Sequence, residues 1–231
     1  MQICGFNKTT LLDYPGHVAA TVFTGCCNFR CPFCQNGDLV LHPGQLPALD
    51  EEEIFRVLKK RRGVLTGVCV TGGEPTLQPD LAVFLKKIKD LGYLVKLDTN
   101  GYLPDVVEGL VREGLLDYIA MDIKSSPEHY ADAAGFPGLR MEPVFRSVSF
   151  LRGCGLPFEF RTTVVKGLHD AEDFRSIGRW LAGPQPYFLQ SYQESAGVIS
   201  PVFEAFSKEE LEGFRSLLLP FLPNASLRGV D

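Results

Sequence analysis

The chain alternates short apolar, β-branched runs with longer amphipathic stretches, and this alternation restricts its possible folds more than any other feature. Residues 18–24 form the first run. After a cysteine-rich loop, residues 50–62 open with acids and close with bases, the order that a helix dipole favours. A second strand is expected at 68–71, then a helix over 79–91 with Leu81, Phe84, Leu85 and Ile88 on one face. Residues 93–97 and 104–113 repeat the pair. A fourth strand at 118–121 precedes a mostly helical region, up to residue 151, that Gly135, Pro137, Gly138 and Pro143 interrupt. Strand 158–165 with helix 170–181, and strand 187–190 with helix 208–219, complete six units. Strands separated by helices pair in parallel. Six units fall short of the eight of a closed barrel. The expected fold is therefore α/β, a partial (β/α)6 barrel, with a doubly wound open sheet as the alternative.

No Ser/Gly linker, charge block, low-complexity tract or internal repeat divides the 231 residues. A single domain over 1–231 is expected, with its core at about 17–193 and a closing helix at about 207–220. The net charge of −5 gives no basic field for nucleic acid. No apolar run approaches membrane-spanning length, and no basic segment with a signal-peptide core opens the chain. These features point to a cytoplasmic protein with reduced thiols, engaging neither membrane nor nucleic acid.

Three of the seven cysteines, Cys27, Cys31 and Cys34, form a CxxxCxxC run directly after the first strand. Three neighbouring thiolates suit a 4Fe–4S cluster and leave one iron without a protein ligand, an open position of the kind that catalytic metal sites keep. Structural zinc needs a fourth ligand and usually a second CxxC pair, which Cys4, Cys26, Cys69 and Cys154 do not supply. A chain this long and this rich in core residues does not need a disulfide framework.

Parallel α/β folds bind ligands at the carboxyl ends of their strands, where this chain concentrates its unusual polar residues. The cysteine run follows strand one, Gly72-Gly73-Glu74-Pro75 strand two, and Asp98-Thr99-Asn100-Gly101 strand three. Asp122 and Lys124 follow strand four, Arg161 lies on strand five, and Gln190 ends strand six. Gly72 and Gly73 permit close backbone approach to a ligand, with Glu74 holding the turn or a nearby cation; an ordinary strand-to-helix turn is the plainer reading. Phe33 offers a flat surface for an adenine ring or simply packs its loop. Asp98, Thr99 and Asp122 have the oxygens for a hard cation, or they cap the next helices. Lys124 and Arg161 either meet a carboxylate ligand or form salt bridges. Asp13, just before Tyr14-Pro15-Gly16, meets a peptide loop or shapes a turn. The four histidines, His17, His42, His129 and His169, show no metal-ligand spacing and read as surface or packing residues.

Over about residues 7–193 these motifs resemble the radical S-adenosylmethionine (SAM) activating enzymes of glycyl radical enzymes, most of all those of anaerobic ribonucleoside-triphosphate reductase. The resemblance implies a radical SAM-type partial barrel in which Cys27, Cys31 and Cys34 hold a 4Fe–4S cluster. Phe33, Cys34, Gln35, Gly72, Gly73, Glu74 and the stretch from Asp122 to Lys124 would contact SAM, and Arg161 is added to these cofactor-binding candidates on its charge and its place on strand five. Asp98, Thr99 and Asp122 would hold a monovalent cation, and Asp13 would lie near the substrate peptide. The implied chemistry is reductive cleavage of SAM to a 5′-deoxyadenosyl radical, which takes a hydrogen from a glycine Cα of the partner, with electrons from a flavodoxin- or ferredoxin-type donor. The chain departs from the pattern in three ways. Cys26 replaces the usual glycine, which leaves Cys26 as an alternative ligand to Cys27; Gln35 stands where a His is common; and no His follows strand six.

Three readings follow: an activase of the reductase, of pyruvate formate-lyase or of another glycyl radical enzyme; a small-molecule radical SAM enzyme such as a deazaguanine synthase; and a non-enzymatic metal-binding scaffold.

Overall fold

Eight strands hydrogen-bond in the same order as they occur along the chain in a computed structural model that describes residues 1–230. They are β1 (Ile3–Thr10), β2 (Ala19–Thr24), β3 (Gly67–Gly72), β4 (Leu94–Thr99), β5 (Tyr118–Asp122), β6 (Phe158–Val164), β7 (Tyr187–Ser191) and β8 (Ala225–Arg228). Strand β1 runs antiparallel to β2, whereas β2–β3, β3–β4, β6–β7 and β7–β8 are parallel. The strand order never reverses, as it must at the switch point of a doubly wound sheet, so that alternative is excluded. The α/β class is the one the alternation predicts.

The helices are α1 (Gly37–Leu41), α2 (Glu51–Lys60), α3 (Leu81–Asp90), α4 (Pro104–Arg112), α5 (Tyr130–Ala134), α6 (Glu142–Gly153), α7 (Ala171–Leu181) and α8 (Lys208–Leu218). Strands β2–β7 and helices α2–α8 fall within a few residues of their expected places. Strands β1 and β8 extend the sheet beyond the 17–193 core. The sequence masks them because β1 carries exposed Asn7, Lys8 and Thr9 instead of an apolar run, and β8 has only four residues.

The chain divides by its internal contacts into two compact units. The first comprises residues 1–28, 38–120 and 143–157. Its sheet register sets Val22, Val70 and Leu97 side by side in one apolar row, and Thr21, Cys69 and Lys96 in a row on the opposite face. Both rows are buried; Lys96 is only 1% exposed and ion-pairs with Asp98. Buried charge persists only when paired.

The second unit comprises residues 29–37, 121–142 and 158 onward. Helix α7 begins with a capping box between Asp170 and Asp173, and α8 with one between Ser207 and Glu210. Phe174 and Phe214 stack between these helices at 4.7 Å. Arg228 of β8 forks onto the fully buried Glu159 and lies 3.7 Å over the Phe188 ring, which ties the last strand to β6 and β7.

Helix α5 ends at Gly135, whose φ is +57°. A Cβ there would lie 2.1 Å from the Arg30 carbonyl oxygen. Gly135→Ala is expected to destabilise the protein by about 2 kcal/mol or more, seen in thermal melts as a Tm lowered by at least about 4 °C, although glycine-to-alanine changes at ordinary φ usually stabilise.

Candidate active site

In the first unit, three strand ends build a hydrogen-bonded shelf. Glu74 is 1% exposed and caps the short 3-10 turn Pro75–Leu77. Its carboxylate accepts from the Thr76 N–H (3.1 Å) and hydroxyl (2.6 Å), the Thr99 hydroxyl (2.8 Å) and the Asn100 N–H (2.7 Å). One side chain thereby locks the ends of β3 and β4 together. Burial pushes the Glu74 carboxyl up, and these four donors work against that shift. The Glu74 N–H donates to the Cys26 carbonyl at 2.8 Å, and a Cβ on Gly73 would lie 1.9 Å from the same oxygen. Gly72 has φ +113°, and Gly73 leaves no space for a side chain; this is why two glycines stand here.

Cys26 is the non-glycine residue with a left-handed φ (+68°) among the described residues, which explains why a glycine suits the position. Its sulfur donates to the Gln2 side chain at 3.6 Å. The Cys27 sulfur has different neighbours: Asn28 Oδ1 at 3.8 Å and Asn100 Nδ2 at 3.9 Å. Asn100 also donates to Asn28 at 2.7 Å, and Asn28 Nδ2 is a buried donor with no protein partner. The neighbouring thiols Cys26 and Cys27 therefore serve different surroundings, and the one at Cys27 lies beside an amide available to a ligand.

The oxygens expected to hold a cation already have protein partners. Lys96 pairs with Asp98, and Thr99 donates to Glu74. Neither caps α4, whose N-cap is Leu103. Asp13 sits in the β1–β2 connection at the amino end of β2, where its carboxylate accepts from the Thr21 hydroxyl at 2.5 Å. This is not the carboxyl edge at which Gly72, Glu74 and Asn100 gather.

In the second unit, Asp122 ends β5 between Lys124 (2.9 Å) and Arg161 of β6 (2.5 Å). Burial alone would raise the Asp122 carboxyl, but the Arg161 guanidinium and the Lys124 ammonium outweigh it and hold the carboxyl well below the usual range. Burial likewise works against the Lys124 ammonium, and Asp122 with the nearby Cys31 sulfur more than reverses that effect. Burial pushes the Cys34 thiol up, offset in part by the Asn36 N–H and by Lys124. Cys31 and Cys34 thus lie in the field of Lys124. Phe33 is 6% exposed and meets His169 edge-on at 6.4 Å. The segment after β7 straps this loop: Ile199 N–H donates to Cys34 O (3.1 Å), Ser200 N–H to Pro32 O (2.8 Å), and Gln35 Nε2 to Gln193 O (2.6 Å).

A family model described as the radical SAM superfamily matches residues 21–181. The chain belongs to the radical SAM superfamily. Membership implies a 4Fe–4S cluster and SAM. A Methanocaldococcus jannaschii protein with the provisional name glycyl-radical enzyme activating enzyme is 29% identical over 83% of this chain and 80% of its own length. A protein of Thermococcus kodakarensis provisionally named GTP 3',8-cyclase is 33% identical over 63% of this chain, which spans 47% of that relative. Among solved structures, Streptococcus suis SuiB bound to its precursor peptide SuiA superposes with a TM-score of 0.72 at 15% identity, covering 90% of this chain and 48% of SuiB. This radical SAM chain therefore spans about half the length of the cyclase and of SuiB.

The residues fit the implied groups. Cys27, Cys31 and Cys34 are not bridged by disulfides, the glycine pair brings backbone to the shelf without side chains, and Asn28 holds an unpaired buried donor beside Cys27. Among the described residues, no helix is long and apolar enough to cross a membrane. Sequence reasoning missed Lys96 and Asn28, and it gave Asn100 no role beyond its place in the cluster after strand three. A lysine inside the run Leu94-Val95-Lys96-Leu97, two residues before Asp98, was the available signal for the first; nothing in the sequence marks the two amides as partners.

Glu74→Gln keeps one acceptor oxygen but turns an NH2 toward the remaining donors. It is expected to cost about 2–4 kcal/mol in denaturant unfolding. The depressed Asp122 carboxyl stabilises the fold above the ordinary Asp range, near pH 4, and this contribution fades as pH falls below it. Asp122→Asn should therefore be less stable at pH 7, with a shallower loss below pH 4, by up to one proton or about 1.4 kcal/mol per pH unit, as measured by unfolding titrations across pH 3–7.

Proposed function

We propose that this radical SAM protein is an activase that installs a glycyl radical on a partner enzyme, with anaerobic ribonucleoside-triphosphate reductase as the first candidate partner and pyruvate formate-lyase the next. The observation that carries this reading is the likeness to the provisionally named activating enzyme, which runs through four-fifths of both chains, whereas the cyclase shares under half of its length.

In this reading Cys27, Cys31 and Cys34 supply the cluster thiolates, and Cys26 stays with Gln2. Gly72 and Gly73 present backbone groups to SAM from the turn that Glu74 holds. Lys124 offers its ammonium to the SAM carboxylate, kept in place by Asp122 and Arg161, and Phe33 and Gln35 shape the loop beside Cys34. Asp13 contacts the partner's peptide from the β1–β2 connection. A cluster held by these cysteines would supply the one-electron reduction of SAM, drawing on a flavodoxin- or ferredoxin-type donor, and with it the hydrogen-abstracting chemistry directed at the partner's glycine. Lys96 supplies positive charge beside Asp98, the role a monovalent cation would otherwise fill.

The test is anaerobic. Reconstituted, reduced wild-type protein with SAM is expected to form 5′-deoxyadenosine, with Cys31→Ala at background. Adding the reductase should produce a glycyl radical doublet in its EPR spectrum. Nucleoside formed without a glycyl radical on either candidate partner, but with turnover of GTP or a deazaguanine precursor, would transfer the protein to the small-molecule class. No nucleoside from a loaded, reducible cluster, with or without the partner enzyme, would favour the scaffold.

A further inference from the structure

The connection between β6 and α7 carries His169, which the sequence offers only as a surface or packing residue. It is 5% exposed, and both of its ring nitrogens are committed to main-chain groups. Nδ1 accepts from the Val165 N–H at 3.1 Å, so the proton sits on Nε2, which donates to the Lys124 carbonyl at 2.8 Å. Burial holds the ring neutral, in keeping with that single tautomer. The ring meets Phe33 edge-on at 6.4 Å and lies tilted against Phe174 at 6.0 Å.

The Lys124 bond replaces sheet pairing where the sheet ends. The Ile123 N–H still donates to the Arg161 carbonyl at 2.8 Å, as in a strand ladder. The Ile123 carbonyl takes the Thr162 hydroxyl instead, also at 2.8 Å, and the next carbonyl, that of Lys124, takes His169. Beyond this point the chain leaves the strand, and the imidazole fixes the peptide from which the Lys124 side chain projects. The same ring sets the edge against which Phe33 packs, between Cys31 and Cys34.

We infer that His169 is a positioning residue for SAM: one neutral imidazole fixes the Lys124 peptide and the Phe33 ring together. With both ring nitrogens taken by main-chain groups, it acts through Lys124 and Phe33 and not as a ligand itself. A phenylalanine would fill the same volume but leave the Lys124 carbonyl and the Val165 N–H unpaired, so packing and positioning can be separated. The inference rests on the radical SAM reading of Lys124 and Phe33.

The experiment measures equilibrium SAM binding to cluster-loaded protein, together with the EPR change of the reduced cluster on SAM addition, iron content and Tm. His169→Phe is expected to bind SAM about tenfold or more weakly at unchanged iron content, the scale on which groups supporting a ligand act. His169→Gln, whose amide can reach the Lys124 carbonyl, should stay within about threefold of wild type. His169→Asn keeps a polar group on the Val165 side without reaching Lys124, and should follow His169→Phe; it replaces that variant if the phenylalanine protein does not fold. Wild-type affinity and EPR response in both donor-less variants, with only a lowered Tm, would make His169 a packing residue and overturn the inference. A loaded wild-type cluster that binds no SAM would instead overturn the reading of the site itself, and this inference with it.

Discussion

The Glu74 carboxylate organises the first unit. It is buried and accepts four hydrogen bonds from Thr76, Thr99 and Asn100. A carboxylate buried this deeply is tolerable only when its lone pairs are met, so the ends of β3 and β4 hold the positions that meet them. The Asn100 amide then reaches Cys27 and Asn28, and the Glu74 N–H holds the Cys26 carbonyl. The presentation of Cys27 therefore depends on a residue that does not touch it.

The second unit solves a related problem with charge. Asp122 is flanked by Lys124 and Arg161, and the resulting positive field reaches Cys31 and Cys34. At Cys34 this field opposes the burial that raises the thiol, without cancelling it. The main chain behind this triad is completed by side chains, Thr162 and His169, because the strand ends before its last carbonyls are paired. The strap after β7 fixes the outer side of the cysteine loop through main-chain bonds to Pro32 and Cys34.

Much of this was legible in the sequence. Six strand–helix units, the glycine pair and the cysteine run can be read because each leaves a local mark: a periodicity, a missing side chain, a fixed spacing. The edge strands β1 and β8 escaped because an edge strand can be short or polar without cost to the core. The charges at Asp122, Lys124 and Arg161 were found as candidates, but their union in one ion-paired triad was not. Asp98 and Thr99 read as candidate cation ligands at a strand end; the sequence does not reveal that Asp98 pairs with Lys96 and that Thr99 donates to Glu74. Residue 26 read as a departure from pattern, and its φ of +68° shows what the usual glycine is for.

The sequence by itself determined the α/β class, the places of strands β2–β7 and helices α2–α8, and the chemistry available at the strand ends, because these follow from short-range pattern. Only the tertiary structure decided which polar atom meets which: Glu74 with Asn100, Asp122 with Arg161, His169 with the Lys124 carbonyl. These pairs join residues 26, 39 and 45 positions apart. Hydrogen bonds and ion pairs are made by atoms a few ångströms apart, and separation along the chain carries no information about that distance until the sheet has formed.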